Sequence, residues 1–499
     1  MKVSLRPVWL LARRELRDQL RDWRILTPLV ILTLGFPFLM NAVAHEAVAF
    51  ANQYGGNLIV DRLVPFSVLI IGFFPLTISL LGALESFVGE KERGTIEPLL
   101  GTPLADWQLY LGKLIVGITT PLFSSLLSIS IYLAIVQRQD INMPDAGVFA
   151  QLFLLTAAHA VLMVSAAIVF SIQSTSVKAA NLMASFIIIP VAILMQGETA
   201  LLFWGNNQVL WLAVVAVLIM AGLIIRLGLA HFQREYLLGR EIDVLNIRWM
   251  ARTFWKYFKG DARSFFGWYR VSVGATLRKL WKPILLLVFL AVAGGGIAYF
   301  WSLGNLQTYL DAYKPEQLDE IQKQLIHTDG ISGVADQLTV SYLFFHNVQS
   351  TLLIAFFGMF SFGVLGVILY LLNTSIIGGL MGFVKLIGYA PLPIVLAGIV
   401  PHGIFEIPAL LLSCAAVLNI GLVLVTPQAG RTIGEVLLEA LADWARVVLG
   451  LVIPMLLIAA IIESQFTPHM LGCAVTSPDA PIATWMTCAF DAIKSTWLK

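Results

Sequence analysis

The chain has 499 residues, of which 58% are hydrophobic and 12% are charged, and its mean hydropathy is +0.84. This composition excludes an ordinary soluble domain and predicts an all-α, polytopic helical membrane protein. The three cysteines are too few for a disulfide-rich fold or a cysteine metal cluster, and the net charge of +2 excludes little by itself.

The positions of the charged residues indicate the orientation of the chain. Seven basic residues lie in residues 1–24 and twelve in 226–282, whereas 304–345 holds six acids and two lysines. By the positive-inside rule, the first two segments are cytoplasmic and the third is outside. The basic N-terminus leads into a full-length apolar run, so no cleavable signal peptide is predicted. We expect the N-terminus inside and, after about 11 spans, the C-terminus outside.

Residues 7–24 predict an amphipathic helix on the membrane surface, because large apolar residues recur at helical spacing and arginines follow another face. Six apolar runs follow, each close to the roughly 20 residues that a spanning helix needs. The predicted spans are about 25–44, 64–84, 113–136, 149–172, 179–195 and 208–229.

A polar insert, Glu85–Lys113, separates the second and third spans. Gly94 breaks it, and Thr95 can cap a new helix with Glu97 in its first turn. Thr102–Pro103 offers a second N-cap with proline just inside it. The pattern predicts two short helices joined by a tight bend. Acids and bases crowd this bend, which favours docking to a charged partner over burial in lipid; a solvated loop is the alternative.

Residues 90–113 resemble the cytoplasmic coupling element of type-2 ABC exporter permeases, an E-K-E-R-G-T-[IL]-E-x-L-L-x-[ST]-P run that ends in G-K. The resemblance implies a permease half of six spans that pairs as a homodimer in a bacterial cytoplasmic (inner) membrane. It also implies a separate cytoplasmic ABC ATPase in two copies, which holds ATP and Mg, and no cofactor in this chain. The helix at 7–24 is similar to the elbow helix of the same permeases. The implied coupling residues are Glu90, Lys91, Glu92, Arg93, Gly94, Thr95, Glu97 and Pro103.

Between the fifth and sixth spans, Gln196–Asn207 predicts a short outer hairpin similar to the re-entrant helices of that family. Glu198 within it is expected to be an exposed loop acid, with contact to a substrate as the alternative.

The connector at 230–282 interleaves six basic and nine aromatic residues between 248 and 270. Next to membrane spans, this mixture predicts an interfacial helix on anionic membrane lipid. Contact with the ATPase is the alternative, and no nucleic acid is expected. The connector also divides the chain into two modules.

The second module begins with a span at about 283–303. A loop at 304–345 follows, with a helix that opens at Pro315 and is expected to cap the spans from outside. An eighth span is predicted at 346–372, a broken stretch at 374–426, an amphipathic cytoplasmic segment at 431–446 and an eleventh span at 447–464.

The motif PHGIFEIPA, residues 401–409, places His402 and Glu406 on one helical face. Such residues are costly at membrane depth unless they are paired or face a cavity, and Lys385 is the candidate partner for Glu406. We expect the pair to lock two broken helices together by hydrogen bonds. The H-x-x-x-E pattern lacks a second histidine and a nearby third ligand, so no metal site is predicted. The predicted membrane-buried polar residues are Lys385, His402, Glu406 and Glu463.

Motifs at 347–363, 401–409 and 459–468 resemble the stage II sporulation protein M family over about 280–470. The resemblance implies five spans and a link to cell-envelope or peptidoglycan remodelling. The domain boundaries that follow are 1–238 for the permease domain, 239–282 for the connector, 283–470 for the second membrane domain and 471–499 for an extracytoplasmic tail.

Two of the cysteines, Cys473 and Cys488, lie in this tail, where an oxidising exterior permits a disulfide worth roughly 3 kcal/mol. Cys414 lies in an apolar span and is expected in the core.

No G-x-x-x-x-G-K-[ST] motif occurs, so the chain is not expected to hydrolyse ATP itself and is not predicted to be an enzyme. The first functional hypothesis is an exporter permease for a lipidic or amphipathic substrate, because the first six spans are sparse in charge. The second is a transmembrane signal transmitter, which relays ATP-driven motion to an extracytoplasmic envelope protein without transport. The third, an intramembrane zinc hydrolase, requires a metal near His402.

Overall fold

The computed structural model describes residues 5–53, 57–139, 143–174, 176–204, 209–232, 246–310, 339–426 and 431–497. All regular elements in these ranges are helices. Eleven helical stretches are long and apolar enough to cross a membrane, six before the connector and five after it. The predicted fold class and number of spans are therefore confirmed.

The chain divides into two compact units, and the first comprises the residues up to Asn246 together with Val425 and Thr426. Within it, α3 is the central helix and contacts α2, α5, α6 and α7. The helices of this unit are α1 (Arg6–Gln19), α2 (Trp23–Gln53), α3 (Asn57–Glu92), α4 (Ile96–Leu100), α5 (Asp106–Val136), α6 (Ala146–Gln173), α7 (Val177–Trp204) and α8 (Val209–His231).

Helix α1 has two apolar faces with different surroundings. Val8, Leu11 and Ala12 are buried, and the helix packs on α5. Trp9 and Leu20 remain more than half exposed. An exposed apolar strip beside arginines suits a helix that lies in a membrane interface, as the sequence predicts.

The second unit is built around α15, which contacts α11, α12, α13, α16 and α17. A π-helical turn, Val448–Val452, joins α16 to α17. The helices of this unit are α9 (Ile247–Lys259), α10 (Phe265–Gly267, the π-helical turn Trp268–Val273 and Gly274–Lys279), α11 (Trp281–Leu310), α12 (Val340–Phe360), α13 (Val364–Leu386), α14 (Pro391–Gly398), α15 (Val400–Leu424), α16 (Ile433–Val447), α17 (Ile453–Gln465), α18 (Thr467–Thr476) and α19 (Ile482–Trp497).

The prediction of one eighth span at 346–372 is wrong, because the chain turns between α12 and α13. Phe362 and Gly363 adopt φ angles of 54° and 94° there. The turn packs closely on α15: a Cβ at Gly421 would collide with the Phe362 carbonyl, and one at Gly363 would collide with Leu418. Glycine at these positions permits both the left-handed backbone and the close approach.

The predicted interruption of the 374–426 stretch is confirmed. Helix α13 ends at Leu386, and α14 begins at Pro391. Proline suits the first turn of a helix because its missing N–H has no intrahelical partner there. The PHGIFEIPA motif lies in the first turns of α15. The helix predicted to open at Pro315 lies outside the described residues.

Contacts within the second unit agree with spans that cross the membrane in alternating directions. The segments before the seventh and eleventh spans meet, since α9 and α10 contact α16. The segments after the ninth and eleventh spans also meet, since α14 contacts α18 and α19. The connecting segments therefore fall into two groups, as expected when successive spans cross in opposite directions.

A network of charged groups, buried at Asp443 and Arg446 and exposed at Lys279, joins α10 to α16. Asp443 Oδ1 accepts hydrogen bonds from Thr276 Oγ1 at 2.8 Å and from Arg446 Nη1 at 2.7 Å. Lys279 Nζ lies 3.0 Å from Asp443 Oδ2 and 2.7 Å from Glu439 Oε1. Burial acts to lower the pKa of Lys279, but hydrogen bonds and attraction from the two carboxylates outweigh burial and hold that pKa above its ordinary value.

Lys113 of α5 is a buried cation that joins three helices of the first unit. Its Nζ lies 3.1 Å from Glu90 Oε1 of α3 and 3.4 Å from Glu15 Oε1 of α1, and it donates to the Ser86 carbonyl oxygen at 2.7 Å. The Phe87 ring lies 5.0 Å from the same atom. A buried ammonium group is tolerated only when it is paired and hydrogen-bonded. These contacts therefore fix α1 and α3 against α5.

Replacing Lys113 tests this junction. Lys113→Ala leaves two carboxylates facing each other without their cation, and we expect it to destabilise the protein by about 3–5 kcal/mol. The measurement is the thermal unfolding midpoint of the full chain in detergent. Arg138→Ala, which removes an exposed cation, should leave the midpoint close to that of the wild type. Equal midpoints for Lys113→Ala and wild type would show that the junction contributes little.

The network at Asp443 gives a second prediction. Asp443→Ala leaves Arg446 buried without its carboxylate, which costs about 3–5 kcal/mol and should loosen α10. We expect faster amide hydrogen exchange across residues 265–279, measured by mass spectrometry. Arg278→Ala, at an exposed position of α10, serves as the control. Unchanged exchange in Asp443→Ala would contradict the proposed role of the network.

Candidate functional site

The polar insert forms a bend with one short helix. Helix α3 runs on to Glu92, Gly94 adopts a φ of 68°, and α4 follows over five residues. The prediction of two short helices is wrong because α5 begins directly at Asp106, where Gln108 Oε1 accepts a hydrogen bond from the Ala105 N–H at 2.9 Å.

Thr95 takes the predicted N-cap position, with Glu97 in the first turn of α4, whereas the second predicted cap, at Thr102, is wrong. Thr95 precedes α4 but makes no capping hydrogen bond to it. Its hydroxyl instead lies 3.4 Å from the Glu90 carbonyl oxygen, at the end of α3. The Thr102 hydroxyl donates to the Leu99 carbonyl oxygen at 2.6 Å, so it satisfies an acceptor at the C-terminus of α4 rather than starting a helix.

Helix α4 is anchored by one face. Ile96, Leu99 and Leu100 are buried, whereas Glu97 and Pro98 are exposed. Burial of three large apolar side chains by so short a helix is what holds it, because a five-residue helix is not stable alone. The opposite face is free for a partner.

Three consecutive charged residues at the end of α3 bind three different helices. Glu90 pairs with Lys113 of α5. Lys91 Nζ donates to the carbonyl oxygens of Ile172 at 2.6 Å and Ser174 at 3.1 Å, at the end of α6. Glu92 Oε1 accepts a hydrogen bond from the N–H of Val177, the first residue of α7, at 2.7 Å. Cations at helix C-termini and anions at N-termini are favourable. These residues therefore form a junction within the unit.

The remaining predicted coupling residues form an exposed surface, which we call the outer bend. Each of these residues is exposed in the structure. The outer bend consists of Arg93, Gly94, Thr95, Glu97 and Pro103.

Glu198 is not an exposed loop acid, because α7 continues through it to Trp204 and no hairpin begins at residue 196. It is 2% exposed, and its Oε1 lies 3.3 Å from Nε2 of the buried His159 on α6. Residues 205–208 of the predicted hairpin lie outside the described residues. The acid therefore pairs α7 with α6. His159, the one ionisable residue of α6, was the sequence signal for this partner.

In the second unit, the His402 region gathers three potential ligands. Ligand atoms of His402, Glu406 and Glu463 all lie within 4.8 Å of one another. Glu463 comes from the last turn of α17, which sequence spacing could not place beside α15. The three side chains are half-buried rather than fully buried.

Lys385 is not the partner of Glu406. It is exposed, and its Nζ lies 3.3 Å from the Tyr299 hydroxyl and 5.9 Å from that ring's centroid. The prediction failed because Lys385 lies in the last turn of α13, and the chain passes through α14 before α15 begins. The prediction that Lys385 is a buried residue of the membrane region is therefore wrong.

The tail folds back as two helices. A disulfide joins Cys473 of α18 to Cys488 of α19, with Cα atoms 6.3 Å apart. Trp485 Nε1 donates to the Ser477 carbonyl oxygen at 2.9 Å, so the helices are also held by a hydrogen bond. Cys414 is buried in α15, as predicted.

Comparison with known proteins identifies both halves. Residues 9–210 match the ABC-2 family transporter protein family, and residues 284–468 match the Stage II sporulation protein M family. The probable ABC transporter permease protein NosY of Pseudomonas aeruginosa is 38% identical over 107 residues, which cover 21% of this chain and 37% of that protein. The protein of the same name from Stutzerimonas stutzeri is 36% identical over 112 residues, 22% of this chain and 38% of that protein.

The two matches and the eleven membrane-spanning stretches agree. The match to each NosY protein covers less than two fifths of that protein's length. The chain therefore joins an ABC-2 family transporter permease domain at residues 9–210 to a stage II sporulation protein M domain at residues 284–468.

Proposed function

We propose that the first unit is the permease of an ATP-driven transporter and that the outer bend docks on a separate ABC ATPase. The main support for this proposal is that the charged residues of the polar insert fall into two groups with different surroundings. Glu90, Lys91 and Glu92 are bound to other helices of the unit, whereas the outer bend that follows is exposed and is anchored through the buried face of α4.

The same contacts supply a mechanical path from the outer bend to the spans. A force on α4 reaches the end of α3, and from there α5, α6 and α7 through the three charged contacts. Lys113 extends the path to α1 through Glu15. Movement of a rigid element against its neighbours is a recurrent way of switching between conformations, so ATP-driven closure of the motor would shift several spans together.

This arrangement also indicates which partner proteins the chain would bind. The ATPase would be present in two copies, would hold ATP and Mg, and would perform the hydrolysis, while this chain would pair as a homodimer in a bacterial cytoplasmic membrane. The basic N-terminus supports the N-terminus inside, and the tail disulfide supports the C-terminus outside.

The substrate class is proposed from the polarity of the spans. His159 and Glu198, two buried ionisable residues of the first unit's spans, lie 3.3 Å apart and can satisfy each other. A path lined mostly by apolar side chains suits a lipidic or amphipathic substrate more than a small ion.

A second candidate function is a relay that transports nothing. It is favoured by the five spans of the second unit and by the tail, whose two helices form a small module after the last span. In this version, motion reaches an extracytoplasmic envelope protein through the second unit.

The docking proposal predicts the effect of reversing one charge. Arg93→Glu should weaken ATPase binding about tenfold, because like charges opposed across an interface cost free energy. The tagged full chain is purified in mild detergent from its native host, and co-eluting proteins are identified and quantified by mass spectrometry. Wild type should recover an ABC ATPase in about equal amount.

The control is Arg138→Glu, which reverses the charge of an exposed arginine just after the C-terminal end of α5. It should retain the ATPase. Equal ATPase recovery with Arg93→Glu would remove the outer bend as the docking surface, and loss with both variants would point to a general effect of charge.

The exporter hypothesis and the relay hypothesis predict different changes in the ATPase activity of the purified complex. A lipid exporter should hydrolyse ATP about two- to tenfold faster in nanodiscs that contain native lipid extract than in a single synthetic phosphatidylcholine, because a substrate that favours one conformation shifts the cycle. A relay should respond to an envelope protein that co-purifies with the chain and not to the lipid.

A further inference from the structure

We propose that the second unit binds a divalent transition-metal ion of the zinc class between His402, Glu406 and Glu463. His402 and Glu406 lie one helical turn apart on α15, and Glu463 faces them from α17. One imidazole nitrogen and two carboxylate oxygens are ligands that zinc accepts. The proposal concerns the second unit and is independent of ATPase docking.

The hydrogen bonds around His402 prepare one nitrogen for a metal. Its Nδ1 lies 3.2 Å from Thr467 Oγ1, and that hydroxyl is placed to donate to the Ile462 carbonyl oxygen at 3.3 Å. Because the hydroxyl proton is directed to the carbonyl, the oxygen is left to accept from Nδ1–H. The imidazole then carries its lone pair on Nε2. Metal-binding histidines commonly donate their other ring N–H to an oxygen in this way.

The charge of the cluster also favours the binding of a cation. Two carboxylates approach each other near a helix end, and no ion pair with a lysine or arginine satisfies either of them within the described ranges. Lys385, the basic residue that sequence favoured, binds Tyr299 instead. Uncompensated acids are costly in a membrane protein, and a divalent ion would compensate both at once.

The three residues do not form the hydrogen-bonded lock that sequence predicted. In the part of the chain that the structure describes, the hydrogen bond of the His402 side chain is to Thr467, and Glu406 and Glu463 make no hydrogen bond to it. Zinc bonds of about 2.0–2.2 Å require ligand atoms closer together than 4.8 Å, so rotation of the three side chains would close the site. Three protein ligands leave a fourth position for water or a substrate, as in catalytic rather than structural zinc sites.

The test uses the full chain in detergent. The protein is stripped with a chelator, returned to a chelator-free buffer and titrated with Zn²⁺, and bound metal is counted by mass spectrometry after gel filtration. We expect about one ion per wild-type chain. Glu463→Gln, which keeps the side-chain volume but removes the charged ligand, should lose it. His346→Ala, at an exposed histidine of the same unit, should retain it.

Thermal unfolding provides a second measurement that does not depend on activity. An ion that binds only the folded protein raises its unfolding temperature. Zn²⁺ should therefore raise the midpoint of wild type and of His346→Ala but not of Glu463→Gln. Thr467→Val removes the acceptor of the His402 N–H, together with the hydroxyl's bond to the Ile462 carbonyl oxygen, but no metal ligand, and it should weaken zinc binding about 10- to 100-fold. Elution volume and retention of the tail disulfide report whether each variant is folded.

Three outcomes would overturn the proposal. The first is a wild-type chain that binds no zinc after stripping and titration. The second is undiminished binding by folded Glu463→Gln, which would place the ion elsewhere. The third is loss of binding with His346→Ala, which would assign the ion to surface histidines. If Glu463→Gln does not fold, Thr467→Val decides: unchanged affinity in that variant also counts against the site.

Discussion

The buried ammonium group of Lys113 is the constraint on which the arrangement of α1, α3 and α5 depends. Its two carboxylate partners come from different helices, and a cation in an apolar environment cannot be left without them. The positions of α1 and α3 are therefore tied to one atom of α5. A pure apolar contact would tolerate sliding between helices, whereas a charged junction with defined donors and acceptors specifies one register.

This junction changes the meaning of the charged run that precedes the bend. In sequence, residues 90–92 and Arg93 look alike, and all are candidates for contact with a partner. In the structure, the first three bind α5, α6 and α7, although Glu92 is also exposed, and the exposed outer bend follows from Arg93. The run therefore combines two tasks: its first part holds the helices together, and the outer bend is presented on that rigid base.

Hydropathy predicted the number of spans because each apolar run is long enough to cross a membrane on its own. It could not find the turn at Phe362, since the residues on both sides are equally apolar and only the glycines marked the reversal. Hydropathy also does not reveal which residues from distant parts of the chain contact each other. Glu198 was assigned to a loop because of its neighbouring glycine, and Glu463 meets His402 only through the packing of α17 on α15.

Three sets of buried ionisable groups in the described residues combine an acid with a base, and the His402 cluster differs from them. Lys113 has two carboxylates, Glu198 has a histidine, and Asp443 has an arginine and a lysine. Each of these sets contains both an acid and a base that can offset it. The cluster on α15 and α17 has two acids and one imidazole, whose Nδ1 lies 3.2 Å from Thr467 Oγ1. No lysine or arginine among the described residues forms an ion pair with these two acids, and the divalent cation proposed above fits both their charge and the ligands.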